Sequence, residues 1–188
     1  MTKKTLKIST ITLGVLLVSA CVSKINTLTN DVDKIIDEDS GYLLLSVSTN
    51  FPLHGINIEG EKKLRLSAEN LTPGSKYILV DVPAGTYNID QIKYNNYLYL
   101  ALDEKLWTFD VKAGEISYVG NLDIYTNLQV AWQKAGQPLL KNRSSDALQF
   151  MELNFPTLLK ARKLKYRGPG EDNFFQFVEQ LQTPQVQP

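Results

Sequence analysis

The sequence predicts a mainly β protein: an antiparallel β-sandwich of about seven to nine strands, with two or three C-terminal α-helices packed on it. Between 41 and 133, short runs rich in branched and aromatic residues alternate with Gly, Pro, Asn and Asp, as expected for short strands joined by turns. No helical period separates these runs, which favours antiparallel pairing. Beyond 137 the apolar spacing changes to the three-four repeat of amphipathic helices.

The first element along the chain is an export signal over 1–20. Lys3, Lys4 and Lys7 form a positive start, an apolar run follows at 8–18, and small residues precede Cys21. At about 1.5 Å per residue, a helix over 8–20 would span roughly 20 Å, well short of the ~30 Å hydrocarbon core of a bilayer. A permanent transmembrane helix is therefore not predicted.

The sequence Val18-Ser19-Ala20-Cys21 resembles the lipobox of bacterial lipoproteins. The resemblance implies a diacylglyceryl thioether on Cys21, cleavage between Ala20 and Cys21, and acylation of the new amine by a fatty acid such as palmitate. Cys21 is the only cysteine, and its thiolate is the nucleophile that lipid attachment needs. The alternative is an ordinary secretory signal cut after Ala20, which would leave an unpaired thiol in an oxidising compartment.

Acylation would anchor the mature protein to a membrane without spanning it, since two or three acyl chains hold a protein stably. By resemblance to Gram-negative lipoproteins, Val22 in place of aspartate favours the outer membrane, on its periplasmic side.

Three of the 20 basic residues are removed with the signal peptide, so 17 remain against 20 acidic residues. The net charge of about −3 gives no reason to expect nucleic acid.

The segment at 21–40 is polar, with acidic residues toward its end. Ile25, Leu28, Val32 and Ile35 repeat with three-four spacing, so a short amphipathic helix over 25–36 is one interpretation. The alternative, which we favour, is a tether that lies loosely on the domain. The acidic residues do not have the order of an EF-hand loop, which favours a solvated linker over a calcium site.

The β-rich region follows the tether. Its β-forming runs place strands near 42–48, 54–58, 62–67, 76–82, 86–94, 96–102, 106–112, 116–125 and, as a further candidate, 128–132. In the run at 116–125 the apolar residues share one parity: Ile116, Tyr118, Leu122 and Ile124. Polar residues take the other: Ser117, Asn121 and Asp123. This pattern predicts a strand with one buried face.

The chain beyond the strands predicts a helical extension. Ser-Ser-Asp at 144–146 can cap a helix, Pro156 kinks or restarts it, and the apolar stripe continues to Leu164. A last amphipathic helix is predicted from about Asp172 until Pro184. The predicted organisation is thus a signal peptide at 1–20, a tether at 21–40, a β-sandwich at 41–133 and a helical extension at 134–188.

Two stretches carry a further resemblance. VPAGTYNI includes a Pro-Ala-Gly-x-Tyr corner from Pro83 to Tyr87, and FDVKAGEISYVGNLDI contains Gly114 in a turn before a long strand. Gly85 and Gly114 suit turns that need a positive φ. These stretches are similar to an uncharacterised family of small bacterial envelope proteins and, more broadly, to prealbumin-like (transthyretin-type) sandwiches. The resemblance covers about 41–125 and implies a fold without a catalytic site.

The sequence offers few residues that could form a catalytic or metal-binding site. His54 is the only histidine, so a Cys-His pair is impossible once Cys21 is acylated, and a histidine-cluster zinc site is excluded. A Ser-His-Asp triad around His54 remains formally possible, but the Gly-x-Ser-x-Gly elbow is absent. We predict no enzyme activity, no metal and no cofactor.

Two groups of side chains are candidates for contacts. Tyr97, Tyr99 and Trp107 crowd one hairpin region and could contact a ligand or partner, although ordinary core packing is the alternative. If the neighbouring leucines face inward, Tyr97 and Tyr99 face outward. The densest positive run contains Lys160, Arg162, Lys163, Lys165 and Arg167. It could meet an anionic lipid surface, or it could complement the dipole at a helix C-terminus.

These observations predict a lipid-anchored envelope protein that acts as a non-catalytic binding or structural module. Its partners would be the membrane, through acylated Cys21, and another envelope protein or polymer. The alternatives are a carbohydrate-binding module that uses the exposed aromatic residues, and an enzyme that acts on an envelope polymer through two convergent carboxylates.

Overall fold

The computed structural model describes residues 23–33, 38–102, 105–125 and 137–182. In chain order, its strands are β1 (Ser23–Lys24), β2 (Ser40–Thr49), β3 (Gly55–Glu59), β4 (Leu64–Ser67), β5 (Gly74–Pro83), β6 (Gly85–Lys93), β7 (Tyr99–Ala101), β8 (Thr108–Val111), β9 (Ile116–Ile124), β10 (Leu139–Lys141) and β11 (Leu164–Tyr166). Its helices are α1 (Ser144–Asn154), α2 (Pro156–Ala161) and α3 (Phe174–Gln182). The predicted signal peptide, Cys21 and the candidate strand at 128–132 lie outside the described residues.

The strands form two sheets. In the first the order is β1-β4-β3-β6, and β7 and β8 both pair with the other edge of β6. In the second the order is β9-β2-β5, and β10 and β11 both pair with the other edge of β9. Most pairs are antiparallel. The prediction of a mainly β fold with C-terminal helices is confirmed.

One pairing departs from the antiparallel expectation. The neighbours β2 and β9 are parallel, because the chain makes six other strands between them and re-enters the second sheet at the end where β2 began. The short strands β1 and β11 also pair in parallel, with β4 and β9. The described residues form more strands than predicted because β1, β10 and β11 lie in segments whose local sequence has no strand signal.

The domain has two cores, one on each face of the second sheet. Leu43, Leu45 and Val47 of β2 pack between the two sheets, whereas Tyr42 and Leu44 face the helices. The unbroken apolar run at 42–45 is what a strand segment buried on both faces requires. The order of layers is therefore first sheet, second sheet, helices.

The prediction that β9 has one buried face is wrong, because both of its faces are buried. Its register against β2 shifts between Leu44 and Leu45. Leu44 pairs with Tyr118 but Leu45 pairs with Gly120, which has a φ of 129°, so β9 has one extra residue at this point. The shift changes the parity of the strand. Ile116 and Tyr118 consequently face the helices, while Leu122 and Ile124, further along, face the core between the sheets.

Residues 23–33, which we call the N-terminal strap, contain no helix and are not loose. The Ile25 N–H donates to the Arg65 carbonyl at 3.1 Å, and the Leu28 N–H donates to the Leu79 carbonyl at 2.8 Å. Ile25 is buried in the core between the sheets and Leu28 in the core beneath the helices. The strap therefore runs from the edge of the first sheet across β5 toward the helices.

The end of the strap caps a helix. The Asp31 carboxylate accepts the N–H groups of Thr157 at 2.7 Å and Leu158 at 3.0 Å, at the start of α2. The residue before α2, Phe155, supplies no side-chain cap, so Asp31 provides one from a distant segment. Desolvation acts to raise the pKa of Asp31, but the backbone donors outweigh it and hold that pKa below its ordinary value. Asp33 then pairs with Arg162 at 3.1 Å.

The C-terminal helices follow the sequence signals at their starts. Helix α1 begins at Ser144, α2 has Pro156 at its first position, and the Asp172 carboxylate accepts the Phe174 N–H at the start of α3 at 2.8 Å. The predicted continuation of the helical stripe to Leu164 is wrong. Leu164 begins β11 instead, because its backbone pairs with β9 at Ile116.

Candidate functional site

The strand registers define two ends of the two-sheet domain. At one, which we call the β3–β4 end, lie the turn at 60–63, Ala84 and the turn at 112–115. At the other, the hairpin end, lies the turn at 94–98 between β6 and β7. Because β1 is parallel to β4, with Ser23 opposite Leu64, β1 has its first residue toward the β3–β4 end. Cys21 is two residues earlier in the sequence, outside the described residues.

The hairpin tip, residues 94–99, exposes apolar and aromatic side chains. Tyr97 is 94% exposed, Tyr99 58% and Leu98 41%. The Asn95 side-chain oxygen accepts the N–H groups of both Tyr97 and Leu98 at 2.8 Å, which fixes the turn that presents these residues. Tyr97 and Tyr99 are exposed, but so is Leu98, so the condition that the neighbouring leucines face inward holds only for Leu100 and Leu102.

Trp107 does not belong to this exposed group. It is only 9% exposed, lies in a short 3-10 turn (Lys105–Trp107) before β8, and packs in the core between the sheets. Tyr94, at the base of the tip, is half-buried and stacks on Phe51 with 5.7 Å between ring centroids. The grouping of Trp107 with the two tyrosines is therefore corrected: spacing along the chain did not reveal that the chain turns inward after β7.

The basic run at 160–167 is divided between α2 and β11. Arg162 pairs with Asp33, Lys163 with Glu179 at 3.1 Å, and Arg167 with Glu115. Lys160 lies on α2, while Lys165 lies on β11. The run therefore includes a helix end and a strand, not the single helix C-terminus that the sequence suggested.

A polar pocket that the sequence did not reveal lies between α1 and one half of the second sheet. Its floor includes Ser46 and Asn121, and its walls include Tyr77, Arg143 and Gln149, around a cavity of about 370 Å³. The alternation in β9 had marked Asn121 and Asp123 as a solvent-facing row, but both are 3% exposed.

Several polar side chains beneath this pocket form hydrogen bonds and ion pairs with one another. Asp123 accepts from Lys141 at 2.7 Å and from the Asn121 amide, and Arg143 lies 3.7 Å from the same carboxylate. The Ser48 hydroxyl bonds to that of Ser75 at 2.6 Å. Such a network satisfies the buried polar groups.

His54 lies in the loop before β3, where its backbone N–H donates to the Lys93 carbonyl at 2.8 Å. Within the described ranges, no group of three or more His, Cys, Asp or Glu side chains could hold a metal ion. None of the helices in the described part of the chain is long and apolar enough to cross a bilayer.

Neither a protein-family model, nor a curated protein, nor a solved structure matches this chain.

Proposed function

We propose that this protein is a lipid-anchored envelope lipoprotein, attached through acylated Cys21, whose domain is a non-catalytic binding or structural module. The observation that carries the proposal is Val18-Ser19-Ala20-Cys21, placed directly after a positive start and an apolar run too short to span a bilayer. The strap supports it, because a folded domain that begins at Ser23 leaves Cys21 next to the body that it would anchor.

We further propose that the domain is a prealbumin-like sandwich. The support comes from two sheets around a shared core and from the corner at Pro83 to Tyr87. There Gly85 has a φ of 154°, and the Tyr87 hydroxyl donates to the Pro83 carbonyl at 2.8 Å. Burial raises the pKa of this hydroxyl to about 12, which favours its protonated form.

Replacing Cys21 with serine is expected to abolish membrane retention or to leave the precursor uncleaved, because serine has no thiolate to form the thioether. Intact mass spectrometry of the wild-type protein extracted from membranes provides the direct measurement. We expect a chain that begins at Cys21 and carries the added mass of the acyl groups. An unmodified thiol on the wild-type chain, or unchanged lipid-dependent retention of Cys21→Ser, would refute the proposal.

The hairpin tip is the surface that we assign to partner binding, because tyrosine combines a large apolar area with a polar group. A photoreactive residue placed at Tyr97 or Tyr99 in intact cells is expected to give a discrete crosslinked species with another envelope protein. Phe177 on α3 is a matched control, since it is 58% exposed, the same as Tyr99. Equal crosslinking from Phe177, or none from the tip, would remove this assignment.

A further inference from the structure

The anchor has little freedom relative to the domain. Consecutive Cα atoms are about 3.8 Å apart, so Ser23 lies within roughly 8 Å of Cys21 whatever the conformation between them. A flexible tether over 21–40 would instead have a root-mean-square span of about 25 Å. Because the strap begins at Ser23, the domain cannot stand away from a bilayer that holds Cys21.

The strap is fixed to the domain at several separate places, so it does not act as a flexible spacer. Its backbone bonds to the carbonyls of Arg65 and Leu79, its apolar residues enter both cores, and Asp31 caps α2. Releasing it would expose Ile25 and Leu28 and leave the first N–H groups of α2 without their acceptor. These costs favour the attached state.

The direction of the chain decides which part of the domain is next to the anchor. The parallel register puts Ser23 opposite Leu64 and Lys24 opposite Arg65, so β1 starts beside the first residue after the turn at 60–63 and runs away from that turn. Ala84 and the turn at 112–115 lie at the same end, since the Ala84 N–H bonds to the Asp39 carbonyl and the Gly114 N–H to the Ser40 carbonyl. The hairpin tip lies at the other end of β6.

We propose that the β3–β4 end of the domain lies against the lipid headgroups and that the hairpin tip points away from the membrane. This inference rests on the proposed lipid anchor. The charges near the β3–β4 end are mixed: Lys63 pairs with Glu59 at 3.0 Å, and Lys112 pairs with Asp110 at 3.3 Å. The short anchor, and not charge attraction, therefore sets the orientation, which makes it insensitive to salt.

The test uses the full lipidated protein in phosphatidylcholine vesicles that carry nitroxide headgroups, with a fluorophore on one introduced cysteine. Lys62→Cys places the probe in the turn at 60–63, and Asn96→Cys places it at the hairpin tip; both residues are exposed. Acylated Cys21 does not react with the label, so each variant is labelled once. We expect loss of most of the fluorescence at 62, little loss at 96, and the same contrast at low and high salt.

Inserting about ten Gly and Ser residues between Val22 and Ser23 provides the control, since such a linker spans roughly 17 Å. The insertion is expected to remove the difference between the two probes while the protein still floats with the vesicles. Equal quenching at 62 and 96 without the insertion, or stronger quenching at 96, overturns the inference and leaves the lipid anchor standing. Failure to float, with Cys21 itself labelled, overturns the lipid anchor and the inference with it.

Discussion

Replacing Ile25 with alanine is expected to lower the free energy of unfolding by about 2 to 5 kcal/mol, the usual cost of truncating a buried isoleucine. Ile25 is 4% exposed and lies in the core between the two sheets. A side chain on a loose linker would change stability by less than about 0.5 kcal/mol. The substitution therefore measures whether the strap belongs to the folded domain. Urea unfolding followed by tryptophan fluorescence, to which buried Trp107 contributes, gives the value.

The neighbouring residue provides a matched control. Asn26 is exposed, so Asn26→Ala at the adjacent position is expected to leave the unfolding midpoint nearly unchanged. If Ile25→Ala behaves like Asn26→Ala, the strap does not pack as the structure has it. The membrane orientation would then lose its physical basis, while lipid attachment at Cys21 would be unaffected.

The second large effect is expected at Gly41, where alanine should cost about 3 kcal/mol through overpacking. A Cβ atom at this position would lie 2.1 Å from the Lys112 carbonyl oxygen. The backbone cannot easily move away, because hydrogen bonds hold both neighbours: the Tyr42 N–H donates to the Glu115 carbonyl, and the Ser40 carbonyl accepts the Gly114 N–H, each at 2.9 Å. The same urea unfolding experiment measures the loss.

Gly55→Ala serves as a comparison for Gly41→Ala, with a smaller expected loss of stability. There the nearest atom to an added Cβ, the Leu66 carbonyl oxygen, would be 3.2 Å away, so a shift of a few tenths of an ångström relieves the contact. We expect a cost within about 1 kcal/mol. Similar losses for the two glycines would contradict the close approach of Gly41 to the turn at 112–115.

Strand positions were largely predictable because each strand carries its signal locally. The runs predicted at 42–48, 76–82 and 86–94 overlap β2, β5 and β6, and the strands end at the glycines, prolines and asparagines that the sequence places there. The face that a strand presents was less predictable. A single register shift near Gly120 moves Ile116 and Leu122 into different cores, although parity along the chain groups them together.

The candidate site also has some features that the sequence predicted and others that it did not. The outward direction of Tyr99 follows from alternation with Leu100 in β7, and Tyr97 is exposed together with Leu98 because both lie in the turn; both are short-range properties. The burial of Trp107 and the polar pocket around Asn121 arise from packing between elements that are far apart in the sequence, such as β9 and α1. No local pattern contains that information.

By itself, the sequence determined a mainly β domain followed by helices and an export signal pattern with one cysteine at its end. Only the tertiary structure decided that residues 23–33 form a strap. Their local composition is that of a solvated linker, and the strap is held by Arg65, Leu79 and the start of α2, partners that lie about 40 to 130 residues away. Contacts over such separations form only when the whole chain folds, because their free energy depends on the distant surfaces that fold beside them.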